Sequence, residues 1–233
     1  MGTPQPRLGP LVHRSVHRAA AAWLIGSVQF IVAMVVVQLG WSDAHPYSLK
    51  DNYISDLGNT HCGDFPSGSS TYVCSPWHVV FNGSVIALGL LILLGVILVR
   101  TALPPRRSST VALGLIALAG IGAICVGVWP ENVNGAIHGI ASLLAFVGGS
   151  LGLIIVALAM LRDTRWDGYR AYSLLSGLVE LVATVLFVFG EYVGLGVGGM
   201  ERLIVAPLLL WLIVASVHLL RTPQYAPRTI PTG

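Results

Sequence analysis

Charged residues are scarce in this chain, and their scarcity excludes an ordinary soluble domain. Asp, Glu, Lys and Arg together make up 10% of the 233 residues, whereas soluble domains contain about a quarter. Hydrophobic residues reach 55%, and the mean hydropathy is +0.78. This composition predicts a membrane protein whose first partner is the lipid bilayer.

Six runs near or above the ~18 apolar residues of a membrane-spanning helix explain the composition. They are Ala19–Trp41, His78–Val99, Val111–Trp129, Ala136–Leu161, Ala171–Val193 and Leu203–Leu220. The first is longer than the apolar core of a signal peptide, and no A-x-A cleavage site follows it. The fold class predicted is all-α: a polytopic membrane helix bundle with six transmembrane helices. Residues 1–18 would be a basic cytoplasmic segment, 19–220 the transmembrane domain and 221–233 a disordered cytoplasmic tail.

Basic residues are divided unevenly between the two sides of the predicted bundle. With both termini in the cytoplasm, eleven of them lie on cytoplasmic segments, and only Lys50 and Arg202 lie outside. Cytoplasmic loops of membrane proteins carry such an excess of Lys and Arg. We therefore expect a bacterial plasma-membrane protein with both termini inside. The pI near 8.9 follows from this bias and gives no indication of nucleic-acid binding.

The first outer loop, residues 42–77, is unusually long, and long loops in compact proteins are often functional. Ser48 and Asp51 resemble a capping box, and Gly58 suits the position after a helix. An apolar face recurs every four residues in Leu49, Tyr53 and Leu57. The pattern predicts a short capping helix over residues 48–58 at the outer mouth of the bundle.

Two of the three cysteines, Cys62 and Cys74, lie in this loop, on the side of the membrane where disulfides persist. Eleven residues separate them, so a ring is easily closed. We expect a disulfide between them, with two free thiols as the alternative. Cys125 lies inside the third span and is expected to be a small core residue.

Glu180 lies near the middle of the fifth predicted span, where an ionisable side chain is a functional candidate by default. Glu191 follows eleven residues later, which returns to the same helix face. Both are candidate catalytic carboxyl groups. The alternative for Glu180 is a neutral side chain that bonds a neighbouring helix or reaches toward the cytoplasmic interface.

Two histidines begin spans at the outer side and are the other catalytic candidates. His78 precedes Asn82 by four residues, and His138 precedes Ser142 by the same spacing, so each pair shares a helix face. With outer carboxylates such as Glu131, these histidines could hold a metal or, less readily, a haem. No HExxH, HxxxH or CxxC spacing supports a metal, so the cofactor stays undefined. The simpler alternative is that both histidines hydrogen-bond loop carbonyls.

Glu201 and Arg202 open the last span, and Arg202 is the only arginine on the outer side. We expect it to pair with a carboxylate of the capping segment, such as Asp56 or Glu131, or with a lipid head group. Asp56 and nearby Asn59 are expected to face inward at the outer mouth. The candidate binding residues are Asp56, Asn59, Asn82, Glu131, Ser142, Glu201 and Arg202.

Three short motifs resemble those of a family of bacterial and archaeal membrane proteins catalogued as domain of unknown function 998. They are the SDLGN segment Ser55–Asn59, the Pro-Glu and His of Pro130, Glu131 and His138, and the Glu-Arg pair Glu201 and Arg202. The resemblance covers about residues 20–220. It implies six spans and a site in the outer cluster, and it implies no particular reaction.

Three functions compete at this point. The first is a pocket, open to the outer side, that binds a lipid or an isoprenoid-like amphiphile. The second is an intramembrane enzyme, either a metal-assisted hydrolase at His78 and His138 or an acid-catalysed isoprenoid cyclase at Glu180. The third is a structural subunit of a membrane complex.

Overall fold

The computed structural model describes residues 10–41, 45–64, 72–103, 105–161 and 168–221, and within these ranges the chain forms six α-helices. They are α1 (Pro10–Leu39), α2 (His78–Val99), α3 (Arg107–Val128), α4 (Gly135–Ala159), α5 (Tyr169–Val188) and α6 (Gly196–Arg221). Each contains a stretch that is long and apolar enough to cross a membrane. The predicted all-α bundle of six transmembrane helices is therefore confirmed.

Five of the six helices begin earlier than the apolar runs predicted, and the difference is largest at α1 and α6. Helix α1 begins at Pro10 rather than Ala19, and α6 begins at Gly196 rather than Leu203. Hydropathy marks where a helix becomes apolar and not where its backbone hydrogen bonds begin, so polar first turns are missed. Residues 1–9 of the predicted basic segment and residues 222–233 of the predicted tail lie outside the described residues.

The helices form a ring. Each packs against the next along the chain, and α6 returns to pack against α1. Helices α3 and α4 approach most closely at glycines: a Cβ at Gly122 would lie 2.6 Å from the Ala141 carbonyl oxygen, and one at Gly148 would lie 2.7 Å from that of Leu115. Small residues that allow backbones to approach are typical of helix packing in membranes.

One end of the ring is closely packed with aromatic side chains. We call it the far end, because it lies away from the long loop between α1 and α2. The ring centroid of Trp211 lies 5.7 Å from that of Trp23 and 5.7 Å from that of Tyr169. The Trp211 indole donates to the Ser173 hydroxyl at 2.8 Å, and the Tyr169 hydroxyl donates to the Trp211 carbonyl at 3.0 Å. The polar groups of this cluster are thus paired with neutral partners.

The capping helix predicted over residues 48–58 is only partly formed. The Ser48 hydroxyl donates to the Asp51 carboxylate at 2.7 Å and accepts from the Asp51 N–H at 3.1 Å, as a capping box requires. One turn follows, and the next helical element is a single 3-10 turn, Ser55–Gly58. The Asn52 side chain accepts from the Ser48 N–H, and that of Asp56 accepts from the Tyr53 N–H. Such local side-chain bonds compete with a continuous helix.

A two-stranded hairpin completes the described part of the loop. Strands β1 (Gly63–Asp64) and β2 (Tyr72–Val73) pair antiparallel. Beside them Cys62 and Cys74 lie at disulfide distance, with their Cα atoms 4.2 Å apart, as predicted. The hairpin and the disulfide connect the loop to the start of α2.

Candidate functional site

Residues 47–60 fold over the end of the ring at which α1 ends and α2 begins. We call this segment the cap and this end of the bundle the cap end. The cap is unusually buried for a polar connection: Asn52, Ser55, Asp56 and Asn59 are all buried. Leu49, which the helical pattern places on the apolar face, is 57% exposed. Leu57 of the same predicted face is fully buried, so polar and apolar side chains of the cap both face the bundle.

Arg202, in the first part of α6, fastens the cap by hydrogen bonds to oxygen atoms. Its guanidinium donates to the carbonyls of Leu49 (3.1 Å), Asn52 (3.2 Å) and Gly198 (2.8 Å) and to the Tyr47 hydroxyl (2.5 Å). Sequence reasoning expected a carboxylate partner for this arginine. A guanidinium can donate hydrogen bonds to several carbonyls at once because its N–H groups form a rigid fork. Arg202 therefore binds the backbone of the cap instead of a carboxylate.

Two carboxyl groups, from different parts of the chain, hold the next residues of the cap. The Ile54 N–H donates to the Glu201 carboxylate, and the Ser55 hydroxyl donates to that of Glu131 at 3.1 Å. Glu201 belongs to α6, and Glu131 lies in the connection between α3 and α4. Burial raises the pKa of Glu131, while the Ser55 hydrogen bond lowers it. The cap thus closes over carboxyl groups that are poorly solvated.

Asp56 is the buried centre of the cap, with only 2% of its surface exposed. One carboxylate oxygen accepts from the Asn52 side-chain amide and from the Tyr53 N–H, each at 3.0 Å. The other has no hydrogen-bond partner within the described part of the chain. Burial raises the pKa of Asp56 to about 6, and the Asn52 hydrogen bond opposes that rise. Asp56 faces inward as expected, but its hydrogen-bond partners are neutral amides and not a cation.

Helix α2 supports the end of the cap. The Asn82 amide donates to the Gly58 carbonyl at 2.9 Å, and the Ser75 hydroxyl donates to the Leu57 carbonyl at 2.7 Å. A Cβ at Gly58 would collide with the Asn82 side chain, so the close approach requires glycine there. Asn82 therefore positions the cap.

A narrow inner cavity of about 90 Å³ lies inside the ring, beneath the cap. Its wall is mostly apolar and includes Phe30, Phe81, Leu88, Ile92 and Leu208. Its polar lining residues are Ser55, His138, Ser142, Glu180 and Glu201. An apolar space with a few polar groups is typical of a small-molecule site.

A second space, the side groove, has a volume of about 270 Å³ and lies between α4, α5 and the cap. The exposed residues Gly139, Leu143 and Val188 contribute to its walls, so it opens on the outer surface of the bundle. The inner cavity and the side groove share five lining residues, which we call the junction: Ser55, His138, Ser142, Phe146 and Glu201. The two spaces are therefore adjacent, and we call them together the path.

Glu180 lies on the inner cavity and is 1% exposed. Its Oε2 atom has no hydrogen-bond partner within the described ranges. Gly149 of α4 makes room for it, because a Cβ there would collide with the carboxyl group. A buried polar group without a partner is rare and calls for an explanation.

The two histidines do not meet. The His138 Nδ1 atom lies 3.0 Å from the Trp129 carbonyl oxygen, and the His78 Nδ1 atom lies 3.0 Å from that of Ser75. Both contacts agree with the simpler alternative of loop-carbonyl bonds. His138 lines both spaces, but His78 lines neither. Among the described residues, no group of three or more His, Cys, Asp or Glu side chains could hold a metal ion.

The predicted site residues therefore fall into three groups. Five line the path: Glu131, His138, Ser142, Glu180 and Glu201. Four help to build or hold the cap, and line neither space: Asp56, Asn59, Asn82 and Arg202. His78 and Glu191 line neither space, and Glu191 is exposed beyond the end of α5.

Most lining residues were not among the predicted site residues; they include Tyr53, Ser55, Phe146 and Phe187. Tyr53 and Ser55 lie in the segment already identified as polar and ordered, and proximity to Asp56 could have suggested them. The two phenylalanines carry no local signal, because they are ordinary residues of apolar helices.

Fold and site define a polytopic membrane protein of six helices with a capped cavity inside the ring. The chain belongs to the family described as protein of unknown function (DUF998), whose model matches residues 24–218. This confirms the resemblance noted from the three short motifs. No curated protein and no solved structure matches the chain.

Proposed function

We propose that this protein binds a lipid or another amphiphile in the inner cavity and the side groove. The observation that carries the proposal is that these adjacent spaces are apolar along most of their walls and share a junction with polar side chains beneath the cap. An amphiphile needs this combination, because its chain requires apolar walls and its head group requires hydrogen bonds.

The size of the two spaces constrains how such a molecule lies. At ~30 Å³ per water-sized group, the inner cavity holds only a few heavy atoms. The side groove is larger and opens between α4 and α5, where exposed residues of the bundle face the bilayer. A long chain would therefore enter laterally from the membrane and keep most of its length in the groove or in lipid.

Blocking the junction tests this proposal. Ser142→Trp places an indole where the two spaces meet, whereas Leu144→Trp places the same side chain on α4 at an exposed position that lines neither space. We expect protein purified in mild detergent to retain an amphiphile detectable by mass spectrometry. Ser142→Trp should lose it and Leu144→Trp should keep it. Equal retention by both variants would contradict the pocket.

The partnerless carboxyl group of Glu180 in an apolar cavity favours one alternative, an acid-catalysed reaction of an isoprenoid-like chain. There Glu180 would act as the proton donor. The retained molecule would then include a chemically altered product. Glu180→Gln would keep the starting chain and yield no product, whereas a binding protein would yield no product in either form. A folded, pure protein that retains no amphiphile would instead favour the structural-subunit hypothesis.

The orientation of the protein also remains a proposal. We infer cytoplasmic termini and a cap on the outer face of the bacterial plasma membrane, supported by the eleven-to-two distribution of basic residues. Reporter fusions after Thr60 and after Pro105 test it. The first should report the outer side and the second the cytoplasm, and the reverse result would invert the topology.

A further inference from the structure

We propose that the head group bound at the junction is a protonated amine, and that phosphate-bearing lipids are disfavoured there. This inference rests on the proposed amphiphile site and specifies its ligand. It is supported by the hydrogen-bond acceptors on the wall, the position of the arginine, the carboxylates beside Tyr53 and the partnerless Glu180.

The polar groups along the path are mainly hydrogen-bond acceptors. Glu201 lines both spaces, Glu131 lines the side groove and Glu180 lines the inner cavity. The His138 Nδ1 atom faces a carbonyl oxygen, which can only accept, so Nδ1 carries the proton and donates. In the neutral ring the Nε2 atom is therefore an acceptor as well. A ligand that meets such a wall must supply N–H or O–H groups.

Apart from His138, the ionisable side chains along the path are acidic. Among the described residues that line the two spaces there is no Lys or Arg, while three are Glu. Arg202 is near, but its guanidinium already donates to three carbonyls and to the Tyr47 hydroxyl. A phosphate would meet carboxyl groups without a free cation, whereas an ammonium group would find acceptors and opposite charge.

The surroundings of Tyr53 agree with a negative field. Burial, and after it the Tyr192 hydroxyl and the carboxylates of Glu131 and Glu201, raise the pKa of Tyr53. Tyr53 lines the side groove beside Glu131 and Glu201. Glu131 and Glu201 therefore lie close enough to the groove wall at Tyr53 to act on a ligand bound there.

Glu180 is an independent sign of a ligand with hydrogen-bond donors. It is almost completely buried, it lines the inner cavity, and its Oε2 atom has no partner within the described chain. A carboxyl oxygen in that state lacks a hydrogen-bond partner, and the N–H of an ammonium group would supply one. The inner end of the path, like the junction, thus has a polar atom to which a hydrogen-bond donor of the ligand could bond.

A metal ion is the other cation that carboxylates could attract. The described residues bring no three His, Cys, Asp or Glu side chains together in a way that could hold one. An organic cation, with its charge at one end and a chain at the other, needs no such set of three ligands and suits an apolar path with acidic groups.

Competition between amphiphiles of equal chain length tests the proposal. Dodecylamine, dodecanol and dodecyl phosphate would each displace a pyrene-labelled dodecanol from the protein in nanodiscs. The Ser142→Trp variant measures partition into the lipid alone. We expect the amine to bind at least about tenfold more tightly than the alcohol, and the phosphate to bind most weakly.

Two variants locate the charge. Glu131→Gln keeps an acceptor for the Ser55 hydroxyl but removes the charge, so it should reduce the advantage of the amine over the alcohol about tenfold. Glu180→Gln, in the inner cavity, provides the same measurement if the first variant does not fold. Asp64→Asn removes an exposed charge on β1 and should leave the preference unchanged.

The outcomes separate this inference from the proposed function. Equal binding of the three probes, or binding of the phosphate as tight as that of the amine, would overturn the amine head group and leave the pocket intact. An amine preference that survives both Glu131→Gln and Glu180→Gln would also overturn it. Failure of all three probes to compete, with no difference between wild type and Ser142→Trp, would overturn the proposed function itself.

Discussion

The far end and the cap end of the bundle both bury polar groups among apolar helices, and they satisfy them differently. At the far end, the Trp211 indole and the hydroxyls of Ser173 and Tyr169 bond one another or the backbone, and the rings fill the space. At the cap end, Asp56 and Glu180 each keep a carboxyl oxygen without a partner in the described chain, and an internal cavity lies near them. The comparison supports the view that packing at the far end holds the helices and that the cap end is shaped for a ligand.

The largest effect is expected where packing is densest. Trp211→Ala removes a buried indole and its bond to Ser173, so the free energy of unfolding should fall by about 3–5 kcal/mol. Trp77→Ala removes an indole that is 46% exposed at the cap end and should cost much less. Unfolding in detergent, followed by near-UV circular dichroism, measures both. Similar losses would remove the contrast between the two ends.

The next effect concerns the buried centre of the cap. Asp56→Ala leaves the Asn52 amide and the Tyr53 N–H without their acceptor, which should cost about 2–4 kcal/mol. Asp64→Ala alters an exposed aspartate of the same loop and should change stability by less than about 0.5 kcal/mol. The sequence also offers Asp43 of this loop as a solvated control, but it lies outside the described residues. If both variants unfold at one temperature, the cap is only a polar connection.

The pH dependence of stability distinguishes the two ends further. The pKa of Asp56 rises on folding from 3.8 to about 6, so the folded state binds more protons in that interval. Its contribution is fully present below pH 3.8 and is lost as the pH rises through about 6, by up to about 3 kcal/mol. Glu131, whose pKa burial also raises, acts in the same direction.

A neutral replacement checks that assignment. Asp56→Asn keeps the oxygen that accepts from Asn52 and Tyr53 but cannot ionise, so its stability should fall less steeply between pH 4 and 7. Thermal unfolding across that interval gives the slope for wild type and variant. Identical slopes would assign the pH dependence to other groups.

The smallest expected effect compares two alanines of α3. Ala123 lines the inner cavity, whereas Ala112 is fully buried in the packed core. Ala112→Val should destabilise the protein by about 1–2 kcal/mol through overpacking. Ala123→Val should be close to neutral in stability and should weaken retention of an amphiphile. A cost at Ala123 equal to that at Ala112 would mean that the cavity does not tolerate added volume.

Local pattern predicted that some candidate residues share a helix face, and it failed where a helix ended. His138 and Ser142 lie four residues apart on α4, and both line the path, as one helix face should. Glu180 and Glu191 were placed on one face by the same reasoning, but α5 ends at Val188 and Gly190 has a positive φ of 76°. The predicted helix face was extended beyond the end of α5. Glu191 therefore lies outside that helix and does not share a face with Glu180.

The sequence by itself determined the six helices, their membrane character and the pairing of Cys62 with Cys74. Hydropathy and the spacing of residues within one loop can be read over short stretches of chain. Only the tertiary structure decided that Glu201 meets the Ile54 N–H, that Arg202 serves cap carbonyls, and that Phe146 and Phe187 line a groove. These contacts join residues far apart in the chain. Their distances depend on the angles at which the helices cross. Packing of the whole ring sets these angles, and no local pattern in the sequence encodes them.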